Sequence, residues 1–173
     1  MNTGQSILTL LAMLLLSTLV LRVNSTLLNS GNTVTNAKLG LTAISLAQSR
    51  LEEIKSKAFD NKTVGTVVSS TSSLTSSSTK EPDNGTYPNF NDVEDYNGFS
   101  YKDTVIINPH LSRDSTNWII FNELDSVVYV SSSSPDQISS SQTWNKKIIV
   151  KIWQKQMTDT IKVSTIFSYF VFR

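Results

Sequence analysis

One histidine, no cysteine and a scattered set of carboxylates are the residues of this chain that could do chemistry. His110 sits beside Pro109 in a stretch that reads as a loop. It has no Cys or second His with which to build a metal or nucleophile site. Glu81, Asp83, Asp92, Glu94 and Asp95 gather over a short span, and oxygen-rich loops of this kind can hold calcium. The spacing misses the EF-hand pattern: stepping back from Gly98 gives Asn97 and Asp95, then Val93 where the first carboxylate belongs. A solvated turn is the expectation there. Trp118, Trp144 and Trp153 each fall in an alternating stretch and are expected in the sheet core rather than on a ligand platform. Asn61-Lys62-Thr63 and Asn84-Gly85-Thr86 match the N-glycosylation acceptor pattern, which chance also produces. No acid, base and nucleophile stand in a recognisable arrangement, so the expectation is a non-enzyme with no metal, no cofactor and no small-molecule substrate.

Composition narrows the class further. A chain of 173 residues makes one ordinary domain plus an appendage more readily than two domains. Its 15 basic and 14 acidic residues leave a formal charge of +1. No segment collects Lys and Arg into a stripe, so nucleic-acid binding is not expected. Without cysteine neither disulfides nor thiolate metal sites can hold the fold. Ser- and Thr-rich runs suit a solvated extracellular surface.

The positioning elements begin with Ile7 to Leu21, where twelve of fifteen residues are Ile, Leu, Ala, Met or Val and none is charged. A helix apolar on every side must be surrounded, by lipid or by copies of itself. The run covers only about 22 Å, short of the roughly 30 Å hydrocarbon layer unless Val23, Leu27 and Leu28 join it past Arg22. Thr33 to Ala58 then places Ala37, Leu41, Ile44, Ala47, Leu51, Ile54 and Ala58 at helical spacing. Lys38, Gln48, Arg50, Glu52, Glu53 and Lys57 fall on the opposite face, expected to be solvated. Leu41, Ile44, Leu51 and Ile54 are the expected helix-sheet packing residues. Asn29-Ser30-Gly31-Asn32 weakens a helix and predicts a kink or short break. Taken as one rod from Gln5 to Ala58, the helix would be about 80 Å long. Half of it would protrude from any domain the rest could form.

After Phe59-Asp60-Asn61 the period changes to two. Ser69 to Thr79 and Ser131 to Ser141 read as exposed loops. Phe99 to Ile107, Leu124 to Val130, Trp144 to Gln154 and Thr160 to Phe172 read as strands. In the last pair Ile148, Val150 and Ile152 share one face, as do Ile161, Val163, Phe167, Tyr169 and Val171, with a turn at Met157-Thr158-Asp159. Ile166, Phe170 and Phe172 point the other way, so the last strand is expected to be buried on two sides. The fold class is therefore α+β, a long N-terminal helix packed on a C-terminal antiparallel sheet. The expected divisions are 1–32 (apolar helix), 33–60 (amphipathic half) and 61–173 (β-rich head).

This order resembles the type IV pilin and type II secretion pseudopilin superfamily. AISLAQSRLEEIKSKAFD (Ala43 to Asp60) is similar to the helix end of minor pilins and pseudopilins, with its paired Glu52-Glu53. NDVEDYNGF (Asn91 to Phe99) resembles the acidic turn before a strand in several of them, and KKIIVKIWQKQMTDTIKVSTIFSYF (Lys146 to Phe170) resembles their last hairpin. The resemblance implies a pilin-like fold and a homo-oligomeric helical filament. It also implies passage through the cytoplasmic (inner) membrane before assembly, and residence in an extracellular filament or at the cell surface. The family is cleaved after a Gly that follows a short basic leader, and a glutamate pairs with the new amine. Here Gly4 and Gln5 are the matching processing site, but Met1-Asn2-Thr3 carries no basic residue, Gln5 replaces the aromatic, and Thr9 stands in place of the glutamate. An unpaired ammonium in a low-dielectric core costs several kcal/mol, so an uncleaved or atypically processed subunit is expected. Cyclisation of an exposed Gln5 is a second solution, and a tip pseudopilin lacking the glutamate is a third.

The residues implied for the filament core are Ile7, Leu8, Thr9, Leu11, Leu14, Leu15, Thr18 and Leu21, with Thr9 and Ser17 able to bond a facing backbone. The competing reading is a single-pass membrane-anchored or secreted binding domain. The same apolar run then serves as anchor or signal peptide, with a cleavage site near Val23-Asn24-Ser25. Arg22 beyond the run and no basic residue before it give an ambiguous or even reversed topology by the positive-inside rule, which counts against the pilin orientation.

Overall fold

The computed structural model describes residues 3–76, 85–106 and 118–169. One helix, α1 (Thr3–Lys55), precedes four strands: β1 (Ser100–Ile106), β2 (Trp118–Tyr129), β3 (Asn145–Trp153) and β4 (Ile161–Ser168). The architecture is α+β, with the part of α1 from Gly40 to Lys55 packed against a four-stranded antiparallel sheet. The chain divides into two compact units, Met1–Leu39 and Gly40–Arg173.

In the first unit the sequence between Thr3 and Leu39 holds no proline and many Leu residues, which lose little rotamer freedom in a helix. Its hydroxyls turn back on the helix. Thr9 donates to the Ser6 carbonyl, Ser17 to Met13, Thr18 to Leu15 and Thr26 to Arg22. The break expected at Asn29-Ser30-Gly31-Asn32 is absent, and α1 runs through it. Thr33 donates to the Asn29 carbonyl and Thr35 to the Gly31 carbonyl. The local cost, about 1 kcal/mol for the glycine, is absorbed because a helix already nucleated on both sides propagates through a poor stretch.

In the second unit the last turns of α1 bury Ala43, Ala47, Arg50, Leu51 and Ile54. The expected packing face is thus half right. Leu51 and Ile54 are buried, whereas Leu41 is 69% and Ile44 38% exposed. Arg50, expected in solvent, is buried instead. Two alanines at 43 and 47 set the contact because small side chains let helix and sheet approach closely, and the bulkier Leu41 and Ile44 are rotated off that line. The helix ends where Ser56 N–H reaches the Glu52 and Glu53 carbonyls and Ala58 leaves to exchange backbone hydrogen bonds with Asn91 and Val93.

The sheet is a meander in the order β1-β2-β3-β4, every pair antiparallel. Positive φ at Gly98, a conformation that costs glycine little, turns the chain into β1. On β2 the buried residues are Phe121, Glu123, Asp125, Val127 and Tyr129, with Leu124 and Val128 on the other face. On β3 they are Lys146, Ile148, Val150 and Ile152. The β3–β4 turn spans the residues expected there. On β4 Phe167 is buried while Ile166 is exposed, so over the described residues this strand is not buried on both sides. Phe170, Val171 and Phe172 lie outside the described residues, as do Ile107, His110, Glu81, Asp83 and Asn84. The tryptophans are a further correction. Trp118 is 51% and Trp153 36% exposed, and Trp144 precedes β3 and stacks on Tyr169 with ring centroids 5.2 Å apart.

Candidate functional site: the apolar helix and the charged core of the sheet unit

The apolar helix of the first unit presents the residues singled out for assembly. Every large apolar side chain from Ile7 to Val34 is more than half exposed, including Ile7, Leu8, Leu11, Leu14, Leu15 and Leu21. Thr9 and Thr18 are exposed as well, but their hydroxyls are spent on carbonyls of their own helix. Gly4 and Gln5 lie exposed in the first turn. By length and composition this helix is able to cross a membrane.

The second unit holds a cluster of buried charges. Arg50 is clamped on Glu123: its Nε donates at 2.6 Å to Oε1 and its Nη2 at 3.2 Å to Oε2. The guanidinium also lies 5.0 Å from the Tyr101 ring centroid and 5.1 Å from that of Tyr87, and it bonds Glu53 at 2.9 Å. Burial works against the charge on Arg50, but Glu123 outweighs it and the pKa is raised. Asp125 is fully buried, its oxygens accept no hydrogen bond, and the Arg50 Nε lies 3.8 Å away. Burial, with the Glu123 carboxylate beside it, pushes Asp125 up to about 8, so the fold favours its protonated form. One cation therefore faces two buried carboxyls, and Asp125 is the one that burial drives toward its protonated form.

A second knot surrounds Lys146, buried at the start of β3. Its Nζ donates at 2.6 Å to the Phe59 carbonyl and lies 3.1 Å from Asp60 and 2.8 Å from Glu94. Asp60 also accepts from Lys62 N–H, from Thr75 N–H and hydroxyl, and from the Tyr129 hydroxyl. Burial alone would raise Asp60, but Lys146 and these donors hold it below the usual carboxylate range. Glu94 is raised, because burial outweighs its pairing with Lys146. Burial, with the Asp95 charge next to it, lifts Asp92 to about 7.

The acidic turn expected to be solvated is therefore largely internal. Asp92 and Asp95 are buried and Glu94 is tied to Lys146. No metal-holding group of His and carboxylate side chains occurs among the described residues. What sequence reasoning missed is the pairing: Arg50, Asp60, Glu123, Asp125 and Lys146 were unmarked as a set. The signal was available in β2, where Phe121, Glu123, Asp125, Val127 and Tyr129 share one phase, but the apolar Leu124 and Val128 of the other phase masked it. No known protein family, curated protein or solved structure matches this chain.

Proposed function

We propose that this chain is a structural, non-enzymatic subunit of an extracellular type IV pilus-like filament, held in the cytoplasmic membrane before assembly. The observation that carries the reading is the unbroken exposure of large apolar side chains from Ile7 to Val34. Water does not tolerate such a surface. Fully burying one Leu or Ile contributes about 1.5 to 3 kcal/mol, so enclosing twelve apolar residues among sister helices is worth on the order of 20 to 35 kcal/mol gross. Lipid supplies much of the same gain, which makes the step from bilayer to filament nearly balanced and open to drive by a machine. Ile7, Leu8, Leu11, Leu14, Leu15 and Leu21 are the packing residues of the proposed bundle. The charged network of the second unit has a structural role in this reading, fixing helix on sheet.

A lone bilayer anchor is the second reading. Thr3–Lys55 contains a stretch long and apolar enough to cross a membrane, and the only described charge before Lys38 is Arg22, beyond the run. Sheared cell-surface material, imaged by negative stain and coupled to N-terminal mass spectrometry, separates the two. Filaments that contain this chain, and that vanish with Leu11→Lys or Leu15→Lys while the sheet unit stays folded, support assembly. Intact filaments from either variant, or a mature N-terminus near Thr26, overturn it.

A further inference from the structure

The face of the sheet turned away from the buried charges has a composition that neither its fold nor filament assembly explains. Cross-strand register places Lys102 opposite Asn122, Asn122 opposite Trp153, and Lys151 directly opposite Lys162. Like charges facing each other on neighbouring strands destabilise a sheet. Among the described residues no ion pair engages Lys102, Lys151, Lys155 or Lys162, whereas Lys147 on the same face is held by Asp136 at 2.8 Å. No acidic side chain occupies an outward position on the four strands. The nearest carboxylates in sequence are Asp103, next to Lys102 but on the inward phase of β1, and Asp159 in the β3–β4 turn. Burial removes five carboxylates but two cations from the described surface, which leaves ten basic residues there against six acidic ones.

Two aromatic rings stand open on this basic face. Trp153 is flanked by Lys151 on its own strand and Lys162 on the next, and Trp118 and Ile120 lie near Lys102. An open cleft of about 620 Å³ runs beside Trp118 and Ile120, with Lys102, Asn122, Lys155 and Gln156 on its walls. Lys151 and Lys162 are one strand spacing apart, about 4.8 Å, and Lys102 lies two strands across and two residues along from Lys151, about 12 Å, on the order of two phosphate steps along an extended strand. Open aromatic rings within a lysine-lined groove are how proteins hold unpaired bases: rings stack the bases and cations track the backbone.

We propose that the outward sheet face around Trp153 binds single-stranded nucleic acid. Lys102, Lys151, Lys155 and Lys162 contact phosphates, Trp153 and Trp118 stack bases, and Asn122 is placed to hydrogen-bond a base edge. A duplex is the poorer ligand because its bases are already stacked on one another and a flat sheet enters neither groove. A lipid surface is the poorer match because Ser100, Thr104 and Asn122 interrupt the apolar positions that would have to insert. The site lies wholly within the second unit and does not depend on filament assembly.

The test uses the full chain in nonionic detergent and a fluorescein-labelled twenty-residue oligothymidylate, followed by anisotropy across 50 to 300 mM salt. Four phosphate contacts predict a slope of log affinity against log salt near about −2.8, at roughly 0.7 per contact. Lys102→Ala with Lys162→Ala halves that slope. Trp153→Ala weakens binding about tenfold at unchanged slope. Lys102 and Lys162 are solvent-facing, so the unfolding midpoint of their variant matches the parent chain, while Trp153 is 36% exposed and its variant is compared at a temperature where circular dichroism shows it folded. The proposal is overturned by no binding at 50 mM salt, by a slope indifferent to the two lysines, or by a Trp153→Ala variant that binds as the parent does. Equal or tighter binding of duplex, heparin or phosphatidylglycerol-containing micelles also overturns it, since the face would then be a general anion sink.

Discussion

Arg50→Met tests whether the helix is fastened to the sheet by charge or only by apolar contact. Arg50 is 6% exposed, makes two hydrogen bonds to Glu123 and stands over the rings of Tyr87, Phe99 and Tyr101. A methionine fills much of the space but leaves the Glu123 carboxylate buried without its cation. Removing one partner of a buried ion pair costs about 3 to 5 kcal/mol. The link to Glu53 adds little, because that side chain is a third exposed and water screens it. With a urea dependence of about 1 to 3 kcal/mol per molar, the midpoint falls by about 2 M. Tryptophan fluorescence of the full chain in nonionic detergent reads the transition. The penalty is assigned to an orphaned charge, so Arg50→Met combined with Glu123→Gln and Asp125→Asn regains at least half of it. Arg50→Lys falls between, since a point charge keeps the attraction but loses the two-pronged geometry and the ring stacking. An Arg50→Met chain within 1 kcal/mol of the parent refutes the reasoning. So does a triple variant no more stable than the single one.

Stability should also fall as pH rises. Asp125, held near 8, and Asp92, near 7, keep protons in the folded chain that the unfolded chain has released above the ordinary 3.8. The native state therefore binds more protons between pH about 4 and 8, and unfolding is favoured as pH climbs through that window. Asp60 acts oppositely: its stabilisation is present above its unfolded value and is lost as pH falls through its depressed native one. Urea midpoints at pH 5 and 8.5 should differ in favour of pH 5, and Asp125→Asn should shrink the difference; a higher midpoint at pH 8.5 contradicts this. Lys146→Met leaves Asp60 and Glu94 without their shared cation and should cost about 3 to 5 kcal/mol, read in the same melts; a change under 1 kcal/mol argues that the donors to Asp60 suffice. Leu41→Ser and Ile44→Ser should leave the sheet unit's melt within about 0.5 kcal/mol, whereas Ala47→Leu should overpack the contact and cost about 1 to 3 kcal/mol. A reversed order would restore the packing face read from helical spacing.

Local pattern was enough to reveal the helix, the β3–β4 hairpin and the apolar first unit. Hydrophobic period and the absence of charge are properties of neighbouring residues, and neighbours in sequence remain neighbours in a helix or strand. The alternation of Ile148, Val150 and Ile152 carried the buried face of β3 for the same reason. Tertiary structure alone decided which rows of a mixed pattern turn inward. In β2 a row bearing Glu123 and Asp125 is buried in preference to one bearing Leu124 and Val128, because Arg50, 73 residues away from Glu123, is there to meet it. Lys146 and Asp60 likewise find each other across 86 residues. The lysines tell the same story from outside: dispersed along the chain, they form no stripe in sequence, yet strand register sets Lys102, Lys151 and Lys162 on one surface. Pairing between distant charges depends on chain closure, and a one-residue change of register would send each of these side chains to the opposite face.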